Sequence, residues 1–94
     1  MSSKLEDVIR KKWSLSLLYL LDEEGELNFG TIQDELGISP STLTQTKDLL
    51  TECGLIKKNE YKRTDYRYEL TSRGEDFLEK IRELEIILES EDGD

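Results

Sequence analysis

Four residues near the middle of the chain, Gly37-Ile38-Ser39-Pro40, restrict its fold more than any other feature. Just before them, Phe29, Ile32 and Leu36 fall on one face of a short helix, about Phe29 to Leu36. Gly37 stops that helix, because glycine adopts the left-handed conformation of a helix end without a Cβ clash. Ile38 anchors the turn. Ser39 is a strong N-cap, and Pro40 suits the first helical position, where a missing N–H is no loss. A second helix then runs from about Pro40 to Cys53, with Gly54 as its stop. Leu43 and Leu50 point inward, Thr46 and Lys47 flank them, and Ser41, Thr44, Gln45, Asp48 and Glu52 form the opposite face. Two short helices around a glycine-centred turn make a helix-turn-helix pattern.

The flanking segments complete a small domain. Lys4 to Glu23 reads as one helix, since Leu5, Val8, Ile9, Trp13, Leu17, Leu20 and Leu21 recur at helical spacing. From Trp13 onward, Leu15, Leu18 and Tyr19 add a second apolar face, so this helix is central and Trp13 is read as core. Gly25 ends it, and Leu27-Asn28 is a short extended piece. After Gly54, Leu55 to Tyr61 and Tyr66 to Thr71 read as the two arms of a β-hairpin with Lys62-Arg63-Thr64-Asp65 at its tip. Thr71 or Ser72 caps a last helix, with Glu75 as the expected capping-box partner. In it, Phe77, Ile81, Leu84 and Leu88 are spaced like a coiled-coil seam. The expected fold is mostly α with a small β-hairpin (α+β): helix, helix, helix, hairpin, helix, a winged helix-turn-helix. It forms one domain over residues 1–90, and residues 91–94 are expected to be a disordered acidic tail.

Composition narrows the chemistry. The chain has no histidine and a single cysteine, Cys53. An internal disulfide, a Cys/His zinc site and a histidine general base are therefore excluded. No nucleophile–base pair, phosphate loop or metal motif stands out, so an enzyme is not expected and no cofactor is called for. Asp22, Glu23, Glu24 and Glu26 read as a solvated helix end, and Cys53 as a small buried side chain. No apolar run is long enough for a membrane span, the stretch Leu15 to Leu21 being only seven residues, and the first residues carry no signal-peptide pattern, so a cytoplasmic location is expected.

The net charge of −9 argues against nucleic acid until its distribution is considered. Residues 22–36 and 69–94 are strongly acidic. Residues 57–68 carry Lys57, Lys58, Lys62, Arg63 and Arg67 against only Glu60 and Asp65. Arg10-Lys11-Lys12 form a second, smaller basic cluster. A local cationic patch is what a reader of nucleic acid requires.

Particular runs resemble known regulators. Lys12-Trp13 before an apolar helix, Phe29 opening the next, and Ile38-Ser39-Pro40-Ser41-Thr42-Leu43 resemble HxlR-type proteins. Ser41-Thr42-Leu43-Thr44 through Gly54-Leu55-Ile56 is similar to the recognition helix and first wing strand of MarR-type regulators. Tyr68-Glu69-Leu70-Thr71-Ser72-Arg73-Gly74 resembles the strand-to-helix junction of both. The resemblance covers about residues 8–82 and implies a homodimeric DNA-binding repressor or activator of bacterial and archaeal type. Two departures are plain: HxlR-type third helices usually carry outward basic residues where this chain has Ser41, Gln45, Thr46 and Asp48, and the cysteine often found near their N-terminus is absent.

The expected function is sequence-specific binding of duplex DNA by a homodimer, as a transcriptional regulator that most simply represses. The third helix enters the major groove, with Gln45 reading an adenine edge and Asp48 accepting from cytosine. Ser39, Ser41, Thr42 and Thr44 hold phosphates at the helix start, and Lys57, Lys58, Lys62, Arg63 and Arg67 grip the backbone from the wing. Leu5, Ile9, Phe77, Ile81, Leu84, Ile87 and Leu88 form the dimer interface. Repulsion among Glu79, Glu83, Glu85 and Glu89 disfavours parallel pairing of last helices and favours antiparallel pairing, or pairing against Arg10-Lys11-Lys12. The pattern names no small-molecule effector; a pocket for one would have to lie between the core and the dimer helices. The competing expectation is a winged helix that binds another protein and not DNA, motivated by the acidic surface and the non-basic third helix.

Overall fold

The computed structural model describes residues 3–90; the acidic tail expected at 91–94 lies outside the described residues. Five helices and three strands follow the order α1 (Lys4–Arg10), α2 (Ser14–Glu24), β1 (Leu27–Asn28), α3 (Phe29–Leu36), α4 (Pro40–Glu52), β2 (Ile56–Lys62), β3 (Asp65–Leu70) and α5 (Ser72–Glu89). The fold is α+β, a winged helix in which α3 and α4 are the helix-turn-helix and β2–β3 the wing.

The single helix expected over Lys4 to Glu23 is two helices. The chain turns at Lys11, whose backbone is extended, and restarts at Ser14. The cause is rotational phase. In one straight helix Val8 would lie roughly 180° around from Leu17. Both are buried, so the axis must break to bring them to one core. Trp13, read as core from its spacing, falls at this break. It is only half-buried, with the Lys12 ammonium 5.4 Å from its ring centroid.

The local punctuation acts as expected in the helix-turn-helix. Asn28 accepts from the Thr31 amide at 2.8 Å and caps α3. Gly37 closes it in the left-handed region at φ 64°. Ser39 accepts from the Thr42 amide at 3.1 Å and caps α4, with Pro40 first in the helix. Thr46, counted with the outward residues when set against HxlR-type helices, is fully buried, and its hydroxyl donates to the Thr42 carbonyl at 2.9 Å.

The short extended piece expected at Leu27-Asn28 joins the hairpin as a third strand, a pairing the sequence did not announce. β1 pairs antiparallel with β3, giving the order β1-β3-β2, with Leu27 opposite Tyr68. Along the wing Ile56 faces Leu70, Lys58 faces Tyr68 and Glu60 faces Tyr66, with an irregularity between Glu60 and Lys62. Val8, Leu17, Leu18, Leu21, Ile32, Leu43, Leu50, Leu55, Ile56, Tyr68 and Leu78 make one buried cluster around α2.

Helix α5 starts on Thr71. Its hydroxyl accepts from the Gly74 amide at 3.0 Å and donates to the Gly54 carbonyl at 2.5 Å. The third helical position is thus Gly74, not Glu75, so the expected capping box has no acidic partner in the right place. Thr71→Ala removes a cap and leaves the Gly54 carbonyl without that donor; a loss of about 2 kcal/mol is expected from urea unfolding. Ile81, expected in the dimer seam, is instead buried in its own protomer at 6% exposure. The face of α5 that packs inward is Gly74, Leu78 and Ile81, one position around from Phe77.

Candidate nucleic-acid interface

Helix α4 presents one continuous polar face to solvent. Ser41, Thr44, Gln45 and Asp48 are exposed, while Leu43, Thr46 and Leu50 fix the opposite face in the core. Ser39 and Thr42 stand at the start of α4, where their side chains are engaged in capping: the Ser39 hydroxyl donates to Thr42 Oγ1 at 3.0 Å. The unpaired amides of a first turn and its partial positive charge remain directed outward.

Charge around this face differs from the raw sequence. Lys47 Nζ lies 3.0 Å from the Asp48 carboxylate and 5.7 Å from the Tyr68 ring centroid. Burial alone would lower the Lys47 ammonium, but the Asp48 hydrogen bond and Tyr68 outweigh it and its pKa is raised. Asp48 therefore presents a paired carboxylate, with much of its field cancelled by Lys47. The break between α1 and α2 brings Lys11 to the same face, where its ammonium donates to Gln45 Oε1 at 2.8 Å. Lys11 was not among the expected site residues; its signal was the basic cluster Arg10-Lys11-Lys12 in an acidic chain.

The five wing cations fall into three groups. Lys57 and Arg67 lie on the face of the hairpin away from the core and are tied to acids. Lys57 is 3.4 Å from Glu69; Arg67 is 2.9 Å from Asp65 and 3.7 Å from Glu26. Lys58 lies in register with Tyr68, on the sheet face that meets α4, and covers the Tyr66 ring at 4.7 Å. Lys62 and Arg63 occupy the tip, exposed and without an ion pair among the described residues. The cations with no carboxylate partner are thus those at the tip and on the α4 side.

Glu26 ties the outer half of the wing to the segment before β1. Read from the sequence as part of a solvated helix end, it accepts from Tyr61 Oη at 2.5 Å and Asn59 Nδ2 at 2.6 Å. Asn59 also donates to Glu69 at 2.8 Å. These bonds, with Arg67 nearby, hold the Glu26 carboxyl below its ordinary value of 4.5, Tyr61 contributing most. A carboxylate with a lowered native pKa contributes stability above its unfolded pKa, and that contribution is lost as pH falls through the native one. Acid is therefore expected to free the outer half of the wing before the core unfolds. Amide NMR signals of Asn59 and Tyr61 should report a transition below pH 4.5 that Glu26→Gln removes. Asp22 is likewise not free: Arg82 of α5 donates to it at 2.5 Å.

Helix α4 thus combines a polar outward face with the Lys11 ammonium beside Gln45, and Lys62 and Arg63 are exposed at the wing tip. A family model described as HxlR-like helix-turn-helix matches residues 8–91. The chain belongs to the HxlR-like helix-turn-helix family. This HxlR-like chain is 34% identical over 87 residues to the uncharacterized protein MJ0944 of Methanocaldococcus jannaschii, covering 88% of the chain and 72% of that protein. Its fold is similar to a protein of Porphyromonas gingivalis W83 assigned to the MarR family of transcriptional regulators, at TM-score 0.73 and 25% identity, over 96% of this chain and 97% of that one. The reduced form of the transcriptional regulator YodB of B. subtilis shares the fold at TM-score 0.77 and 20% identity, over 100% and 99% of the two chains. The HxlR-like chain is accordingly a winged-helix protein of the transcriptional-regulator type. Among its described residues no helix is long and apolar enough to cross a membrane.

Proposed function

We propose that the protein is a cytoplasmic homodimeric regulator that binds duplex DNA in a sequence-specific way and represses by occluding polymerase. The observation that carries this reading is the charge arrangement around α4. Its outward face is polar, Asp48 is paired, and the unpaired cations Lys58, Lys62 and Arg63 lie on the wing beside it. In this reading α4 enters the major groove by its N-terminal half. Ser41 and Thr44 contact phosphate, and Gln45 releases Lys11 to read an adenine edge while Lys11 takes a phosphate. The wing tip follows the backbone toward the minor groove. Two protomers then read half-sites about one helical turn apart.

The test is fluorescence anisotropy with the DNA upstream of the protein's own gene and with a random duplex, over a salt series. Tighter binding to the upstream DNA, falling steeply with salt, is expected. No binding to either duplex at low salt would overturn the reading and favour a winged helix that binds protein, consistent with the net charge of −9.

A further inference from the structure

β1 supports the wing only as far as Arg67, because it meets β3 at Tyr68 and Arg67 alone. From Glu60 to Tyr66 the wing is a two-stranded ribbon. Such a ribbon is marginal by itself in water. Its register also steps at Tyr61, between Glu60 opposite Tyr66 and Lys62 opposite Asp65. A step of this kind bends a ribbon, so whatever grips the residue at the step fixes the bend. The grip comes from Glu26, the residue before β1, which reaches across β3 on the face away from the core. A single oxygen, Oε2, accepts from Asn59 Nδ2 at 2.6 Å and from Tyr61 Oη at 2.5 Å. The other, Oε1, lies 3.7 Å from Arg67, whose guanidinium covers the Tyr61 ring at 4.8 Å. The Glu26 side chain is only 19% exposed. Lys62 and Arg63 follow Tyr61 directly.

We propose that Glu26 is a positioning residue for DNA binding, setting the angle at which the wing presents Lys62 and Arg63 to phosphate. The proposal rests on the DNA-binding reading and adds a residue that acts on that site through Tyr61 and Asn59. Its sign is opposite to the Coulombic one. An acid near a phosphate-binding wing repels the duplex, so charge alone predicts tighter binding once Glu26 is neutralised. A ribbon that must be ordered at the moment of binding loses affinity instead, and a preset one does not. The two effects are separable because both acceptor bonds end on one oxygen. Glu26→Gln removes the charge and keeps a carbonyl oxygen for Asn59 and Tyr61. Glu26→Ala removes the charge and the acceptor together. Arg67 keeps Asp65, at 2.9 Å, in either variant.

The test is fluorescence anisotropy of the full chain with a random duplex and with the DNA upstream of its own gene, at one low salt concentration. Glu26→Ala is expected to bind both duplexes about tenfold more weakly than the wild type, since two charge-assisted bonds are lost. Glu26→Gln should bind at least as tightly as the wild type. Tyr61→Phe changes no charge and keeps the ring under Arg67; it should weaken binding by itself and cost nothing further when added to Glu26→Ala. Glu26→Ala binding as tightly as Glu26→Gln, or tighter, overturns the proposal, because charge then explains the whole effect. Equal losses from Glu26→Gln and Glu26→Ala also overturn it, as do additive losses from Glu26→Ala and Tyr61→Phe. Amide NMR signals of Leu18 and Leu50 check that each variant is folded. Where Glu26→Ala does not fold, Tyr61→Phe decides, and an unchanged affinity overturns the proposal. These outcomes leave the DNA-binding reading intact, whereas a wild type that binds neither duplex overturns both.

Discussion

Gly74→Ala is expected to cost at least about 3 kcal/mol of folding stability. Gly74 sits in the first turn of α5, where the helix passes directly over Leu55, the residue before β2. A Cβ there would lie 2.0 Å from the Leu55 carbonyl oxygen, 3.0 Å from its carbon and 3.3 Å from Leu70 Cδ2. The obstacle is backbone, and that backbone is held in place: Leu55 O accepts from the Thr71 amide at 3.0 Å. The Gly74 amide is itself held by Thr71 Oγ1. Relief requires lifting the start of α5 from the sheet, which breaks the cap and opens the core at Leu55 and Leu78. Urea unfolding and thermal melts measure this; a domain of this size should melt about 15 °C lower. Gly30→Ala is the internal control. Its Cβ would meet only Asn28 Oδ1, at 3.7 Å, and the change inside α3 should be neutral or slightly stabilising. A loss below 1 kcal/mol at position 74 would mean that the junction yields far more easily than its hydrogen bonds indicate.

The second large effect concerns the wing tip. Under the DNA-binding reading, Lys62→Ala with Arg63→Ala should weaken binding to specific and random duplex alike, by about a hundredfold near 0.1 M salt, and reduce the salt slope by about two. The basis is their lack of competing carboxylates: a cation already paired must give up its partner to hold a phosphate. Lys57 is bound to Glu69 and Arg67 to Asp65 and Glu26, so Lys57→Ala should change affinity by no more than about threefold. Anisotropy titrations at several salt concentrations compare them. Equal losses at Lys57 and at the tip would show that ion pairing within the wing does not sort its cations. Gln45→Ala should change the preference between duplexes more than the overall affinity.

The features legible from sequence are those whose cause is local. Gly37 and Ser39 act through their own backbone and the amides three residues on, so the turn between α3 and α4 could be located to the residue. The alternation of Tyr66, Tyr68 and Leu70 identified a strand, and the basic window at 57–68 identified its charge. The family signature drew on the same short runs, which is why the fold class was recognisable without coordinates.

Other features depended on what each segment packs against. Helical periodicity continues across Lys11 to Trp13, and only the need to bury Val8 and Leu17 in one core breaks the helix there. Phe77 and Ile81 share a seam by spacing, yet Ile81 is buried in the protomer while Leu84, Ile86, Ile87 and Leu88 remain outside; Ile86 was not among the expected interface residues. Glu26 and Asn59 are 33 positions apart, and no spacing rule links them until β1 joins β3. The sequence by itself determined where α3 and α4 start and stop and what charge each segment carries, because those signals act over about one helical turn. Tertiary structure alone decided which face of each helix is inside and which cations keep their acids, because burial and ion pairing depend on neighbours that the chain brings from far away.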